Sequence, residues 1–343
     1  MAENSLTGAL SIGKQTDRTT QATAFITTLA TVSNLAVAFD TRQPLLEHPS
    51  SVAGVSFDIA SPLTRTGYLV PWGGTFLLRP KFFPRVLQAL GFSVATTANT
   101  PETGTHTHVC TIAADSSMLW MSVIHNVGTG GGEFNRLALG ARASRLSMTA
   151  TNETITCDVT GTALVEGNVS GSPTYTSEVS DEISPAIGSV TCNFDAATLV
   201  SSLRGITWEL ANTLKEGTEE RPLFQSTRDD LARDTIGYTG TLQGVDVDFN
   251  LWKKIIRGGT SGTAPSLVVV TGDLAYQFES ASNIGATATP YSVNFEFSEV
   301  QYDFPTEGIR NQNSDLVRVD LSYTGIGTGT PVTITVINDV ASY

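Results

Sequence analysis

The side chains best equipped for chemistry fall in His106-Thr107-His108-Val109-Cys110, where two imidazoles and a thiol alternate. Alternate residues of a strand share a face, so the three groups could converge on a cation. A closed zinc site needs a fourth ligand, and none stands nearby in the sequence; a polar turn running into a core strand is the better reading. Gly128-Thr129-Gly130-Gly131-Gly132-Glu133 invites a phosphate cradle, but no Lys-Ser/Thr follows and no helix opens there, so it reads as a flexible hairpin loop. Asp246 and Asp248, or the adjacent Asp229 and Asp230, offer paired carboxylates for acid–base work. Asp246 and Asp248 alternate with Val245 and Val247, the pattern of a half-exposed strand, and solvated faces are expected. There is no GxSxG elbow, and His48, His106, His108 and His125 are the only imidazoles. Trp72, Trp120, Trp208 and Trp252 each sit among apolar residues, which favours core packing over ligand stacking. Neither catalysis nor a bound metal or cofactor is expected.

The elements that carry these residues follow from composition and periodicity. The 343 residues include 31 Ser and 48 Thr, more hydroxyl side chains than the 53 charged ones, and Thr favours extended backbone. The net charge is −13, with −1 over residues 1–170 and −12 over residues 171–343. No basic stretch exists to displace phosphate counterions, so tight nucleic-acid binding is disfavoured, while an acidic surface can repel DNA. Cys110, Cys157 and Cys192 form no CxxC pair, which points to a reducing compartment. No apolar run is long enough to span a membrane, and Met1–Ser5 shows no secretory signal, so cytosolic synthesis is expected and the sequons at Asn152 and Asn168 carry no meaning.

Residues 1–34 read as an extended N-terminal arm or loop, rich in Thr, Ala and Ser. A first β module over 35–165 follows, with strands at Val55–Ile59, His108–Ile112 and Leu119–Ile124 and a hairpin joining Arg145–Ala150 to Thr154–Val159. Within it, apolar Phe82, Phe83, Val86, Leu87 and Leu90 share one helical face, and Gly91 stands where a left-handed C-cap is favoured. Residues 166–186 read as a linker. A second β module over 187–343 repeats the outline: a short helix at Phe249–Arg257 ending in Gly258, with strands at Ile206–Leu210, Leu267–Val270, Ala275–Phe278, Tyr291–Phe297, Val317–Tyr323 and Val332–Ile337. The fold class expected is mainly β, a duplicated β-sandwich or barrel module with one packed helix in each copy.

Ile12-Gly13-Lys14-Gln15-Thr16-Asp17-Arg18-Thr19-Thr20-Gln21-Ala22-Thr23-Ala24 resembles the opening of the tail tube proteins of long-tailed bacteriophages, which tend to begin with an Ile-Gly-x-Gln-Thr phrase. In the same order come Leu87–Gly91, His108–Ile112, Gly140 with Ser144–Met148, Leu203–Asn212, Lys215-Glu216-Gly217 and Gly237–Gly240. The resemblance implies a structural virion protein, not an enzyme, that self-assembles into stacked rings forming the hollow tail through which DNA passes without tight binding. A two-module chain would build the ring from three copies, or from six. The resemblance further implies assembly in the host bacterial cytoplasm, residence in the virion tail, no membrane, and tape measure, terminator and distal tail proteins as partners. Thr16, Thr19 and Thr23 of the arm and Gly130, Gly131 and Gly132 of the loop are the candidate ring contacts, ordering on contact; Asp246 and Asp248 are the candidate acidic lumen. A β-rich adhesion or carbohydrate-binding module is the alternative.

Overall fold

Leu10 and Ile12 alternate with small residues in the first strand and enter the main core, so the fold begins earlier than composition suggests. The computed structural model describes residues 8–42, 64–100, 102–126, 135–178, 183, 189–194, 197–198, 203–223, 225–246, 253, 256–259, 261–267, 271–303, 318–326 and 331–343. Its strands are β1 (Gly8–Lys14), β2 (Ala24–Leu35), β3 (Ala38–Arg42), β4 (Thr64–Leu77), β5 (Phe92–Ala98), β6 (His106–Ile112), β7 (Met121–Asn126), β8 (Asn135–Ala150) and β9 (Ile155–Asn168). There follow β10 (Thr174–Glu178), β11 (Ser189–Phe194), β12 (Ala197–Thr198), β13 (Gly205–Leu214), β14 (Arg233–Asp246), β15 (Thr271–Asn283), β16 (Pro290–Asp303), β17 (Arg318–Gly325) and β18 (Val332–Asn338). Helix α1 spans Phe83–Ala89. The protein is mainly β, and among the described residues every strand pairing except the parallel β2–β10 pair is antiparallel.

Two arrangements emerge from the pairings. The first is a closed cycle, β1–β2–β4–β9–β8–β7–β1, in which each strand has a neighbour on both sides. It places Leu10, Ile12, Ile26, Trp72, Phe76, Val123 and Val159 in the main core. The second is an open sheet in the order β5–β6–β18–β16–β15–β11. Its core face carries Cys110, Ile334, Val336, Phe295, Phe297, Tyr276 and Phe278, the alternation visible in Tyr291–Phe297. A wing, β8–β13–β14–β17–β16, connects the two.

Helix α1 lies between them. Pro84 occupies its first turn, where a missing N–H costs nothing, and Gly91 ends it at φ +84°, as its sequence predicted. Phe83 meets Phe295 edge-on with ring centroids 5.8 Å apart, tying the helix to the open sheet.

The expectation of an arm that orders only on contact is corrected for residues 8–35. They form β1 and β2, because β7 supplies β1 with a second neighbour that no local pattern announces. The 166–186 stretch includes the end of β9 and all of β10. Three pairings, β2–β10, β6–β18 and β8–β13, join residues on either side of residue 170. In the second expected helix, Lys253, Ile256 and Arg257 are helical and Gly258 has φ +73°; its other residues lie outside the described ones. So do the expected strand at 55–59 and residues 268–270.

Candidate functional site

The β1–β2 loop, which holds the phrase singled out by resemblance, is built around Gln15. This buried side chain donates from Nε2 to the Thr20 carbonyl at 2.7 Å and accepts from the Gly140 N–H at 2.9 Å, tying the loop to β8. Gly13 is needed just before it: a Cβ there would lie 2.6 Å from the Ala24 carbonyl oxygen and 2.7 Å from the Ala22 Cβ. Asp17 organises the turn by accepting from the Thr20 hydroxyl at 2.6 Å and from the Thr19 N–H, Thr19 hydroxyl and Thr20 N–H at 2.8 Å each. Those bonds, from Thr20 above all, hold its carboxyl well below the usual carboxylate range. Thr16, Thr19 and Thr23 are all exposed on this already ordered loop.

A second loop, joining β13 to β14, is fastened over the closed cycle by arginines. Arg228 is buried and donates to the Glu216 and Gly217 carbonyls at 2.7 and 3.1 Å, with Asp40 3.4 Å away. Arg221 donates to the Thr66 carbonyl at 2.7 Å. Arg142, buried on β8, stacks 3.7 Å above the Trp120 ring and donates to the Leu231 carbonyl at 2.6 Å and to Asp230 at 3.1 Å. Burial lowers its pKa, and Asp230 opposes that shift. Arg18 pairs with Asp229, so the two loops also hold each other. Of the pairs considered for acid–base work, Asp229 and Asp230 are thus partners of arginines.

The His106–Cys110 strand is β6, and its chemistry is internal. His108 is fully buried; Nε2 donates to Asn338 Oδ1 at 2.8 Å, and Nδ1 lies 2.9 Å from the Thr96 hydroxyl. The Asn338 amide is oriented by its own donation to the Pro80 carbonyl at 2.9 Å, which leaves its oxygen for the histidine. Burial lowers the His108 pKa and pushes the Cys110 thiol up to about 12. Both groups are core components, neither a nucleophile nor a base poised toward solvent. Trp72 and Trp208 are buried, Trp120 lies half-buried under Arg142, and Trp252 is outside the described residues.

Two exposed faces remain. Over the wing, a groove of about 460 Å³ is crossed by two cross-strand rows, Thr149–Thr207–Thr241–Ser322 and Ser147–Glu209–Thr239–Thr324. Glu209 is neutralised by Arg145 at 2.6 Å, leaving a hydroxyl-lined surface that can hold water without net charge. The outward face of the open sheet carries Ser93, Ala95 and Thr97 on β5, Thr107, Val109 and Thr111 on β6, Thr333 and Thr335 on β18, and Asn294, Glu296, Gln277 and Glu279 on β16 and β15. Gln277 donates to Glu279 and Asn294 to Glu296, each at 2.7 Å, and these positions include carboxylates but no Lys or Arg.

Of the other residues singled out in the sequence, Asp246 ends β14 at a register position opposite Arg318. Asp248, Gly130, Gly131 and Gly132 lie outside the described residues. The structure thus places Thr16, Thr19 and Thr23 on one loop and Asp246 at the end of β14. Sequence reasoning missed the arginine clasp. Arg142 was the available signal, a lone cation between Ala141 and Ala143, both of which are fully buried. It also missed the outward carboxylates Glu279 and Glu296. No protein-family model matches the chain, and a search of curated proteins finds no match to it.

Proposed function

We propose that this chain is a structural protein that self-associates into stacked rings, forming the hollow tail tube of a long-tailed bacteriophage. The observation that carries the reading is a mostly β body whose open sheet, among the described residues, ends in an unpaired edge at β5 and in β11, whose outer side meets only β12 at Asn193 and Phe194, and turns outward a face of hydroxyls and carboxylates without a cation. Unpaired edges favour association through strands, and an acidic, hydroxyl-rich wall repels a polyanion instead of binding it. The ordered motifs add to this, since Gly13 and Gln15 of the Ile12–Ala24 phrase each have a defined task in the β1–β2 loop. Rings would contain three copies, or six, and would meet tape measure, terminator and distal tail proteins at the ends. Glu279 and Glu296 join Asp246 and Asp248 as candidates for the acidic wall.

Electron microscopy of the purified protein at rising concentration, with native mass spectrometry of the smallest ring, tests this. Tubes or stacked rings with a central channel are expected; a monomer dispersed at all concentrations, or one that binds glycans, would overturn it.

A further inference from the structure

We infer that residues 339–343 form an acid-released strap, closed over the buried His108 ring in neutral solution and opened when that ring takes up a proton. The inference is argued from contacts within one copy of the chain and stands apart from the tube reading.

The strap leaves β18 at Asn338, and that side chain is its anchor. Asn338 is fully buried and uses its whole amide. Its Oδ1 accepts from His108 Nε2 and from the Val340 N–H, both at 2.8 Å, while Nδ2 donates to the Pro80 carbonyl at 2.9 Å and to the Tyr343 hydroxyl at 2.7 Å. Tyr343 in turn donates to the Lys81 carbonyl at 2.8 Å, so both ends of the strap are tied to the residues that lead into α1. The Tyr343 ring is the cover. It meets the His108 ring edge-on with centroids 4.8 Å apart, and the Arg85 guanidinium carbon lies 5.5 Å from its centre. Between these ties little holds the strap. Asp339, Ala341 and Ser342 are exposed, and water screens the Lys81–Asp339 ion pair, 3.1 Å long, at its Asp339 end. A segment fastened by a few bonds and one ring opens far more readily than the sheet beneath it unfolds.

His108 supplies the sensitivity. Its Nε2 carries the proton given to Asn338, so Nδ1 accepts from the Thr96 hydroxyl at 2.9 Å. A second proton, at Nδ1, forces Thr96 to turn its hydroxyl from donor to acceptor and places a full charge in a site closed to water. The charged and titratable groups on the elements around it, among the described residues, offer little relief. β6 contributes His106, with ring centroids 6.4 Å apart, while Lys81 precedes α1 and Arg85 lies on it. β5 and β18 contribute none. The strap brings Tyr343 and one carboxylate, Asp339, which Lys81 already holds. Burial accordingly lowers the His108 pKa, with His106 acting in the same direction and the bond to Asn338 against it. Once the strap lifts, water reaches the ring and its pKa returns toward about 6.5. The open form therefore binds more protons than the closed one. Above that pH the balance between them is constant; below it, opening gains as much as about tenfold per pH unit until the lowered pKa is passed.

Hydrogen exchange of the full-length chain between pH 7.5 and pH 5 reads the opening, by mass spectrometry of peptides covering residues 337–343 and β16, corrected for the intrinsic pH dependence of exchange. In the native chain, protection over 337–343 is expected to fall by up to about tenfold per pH unit below about pH 6.5, while β16 keeps its own. His108→Gln is expected to abolish that dependence, whatever it does to the level of protection. Tyr343→Ala, which removes the cover, is expected to leave 337–343 weakly protected at every pH. A flat profile in the native chain would overturn the inference, as would a loss of protection in step with β16, which is unfolding of the whole. Dependence that survives in His108→Gln would assign the switch to another group and overturn it equally. Should β16 prove unprotected in His108→Gln, Tyr343→Ala decides alone, since Tyr343 is only half-buried: weak protection without pH dependence supports the strap, and a native profile overturns it.

Discussion

The closed cycle and the open sheet are made of the same material, antiparallel strands of Thr, Val and small residues, yet they solve the edge problem in opposite ways. In the cycle every strand is flanked on both sides, and a second small cluster of Ala22, Phe25, Ile124 and Leu137 lies outside the main core. The open sheet buries an equally apolar face but, among the described residues, leaves the outer sides of β5 and most of β11 without a neighbour. The difference shows that satisfying a core does not satisfy a backbone. Among the described residues, one region is complete within the chain, and the other has edge hydrogen-bonding groups that no described strand meets.

That contrast can be broken most severely at Phe295, whose ring lies 5.2 Å from Trp208, 4.9 Å from Tyr276 and 5.8 Å from Phe83. Phe295→Ala is expected to cost about 4 kcal/mol in urea unfolding, by removing the side chain where sheet, wing and helix meet. Next comes Arg142→Ala, expected to cost about 3 kcal/mol because it removes the Trp120 stack and the bond to the Leu231 carbonyl. Its signature is faster proteolysis of the β13–β14 loop with the cycle intact. Gln15→Ala, which strips the Gly140 N–H of its acceptor, should cost about 1–2 kcal/mol and speed amide exchange at Gly140.

The gentlest comparison uses pH, since each region buries a histidine. His108 belongs to the open sheet and His125 to the cycle. Burial lowers both pKa values, with Arg136 adding to the effect at His125 and Asn338 opposing it at His108. The unfolded chain therefore binds more protons near pH 6, so this contribution is fully present above the ordinary histidine pKa of about 6.5 and declines as the pH falls below it. Urea midpoints at pH 7.5 and pH 5 should differ less in His108→Gln than in the native chain. An unchanged difference would assign the pH dependence to other groups.

How much of this was legible beforehand follows from the range of each interaction. α1 was readable because its apolar face and Gly91 are local signals, and so was the hairpin at Thr151–Thr154, whose turn closes with a 2.9 Å bond from the Thr151 N–H to the Thr154 carbonyl. The alternation of Tyr291–Phe297 told which face of β16 is buried. What it could not tell is which strands lie beside it, since pairing β16 with β18, or β1 with β7, depends on surfaces contributed by distant segments. The same holds for the candidate site. Gln15 was noticed as part of a phrase, but its acceptor role depends on Gly140, and Arg142 becomes meaningful only once Leu231 is brought above it.

The β6–β18 ladder sets a timetable for synthesis. β18 begins at residue 332, 220 positions after β6 ends at residue 112. At ribosomal speeds of roughly 5–20 residues per second, the nascent β6 waits on the order of 10–40 s for its neighbour to be made. During that interval the side of β6 that β18 will cover has no partner from its own chain, a period in which an unpaired strand edge is open to aggregation.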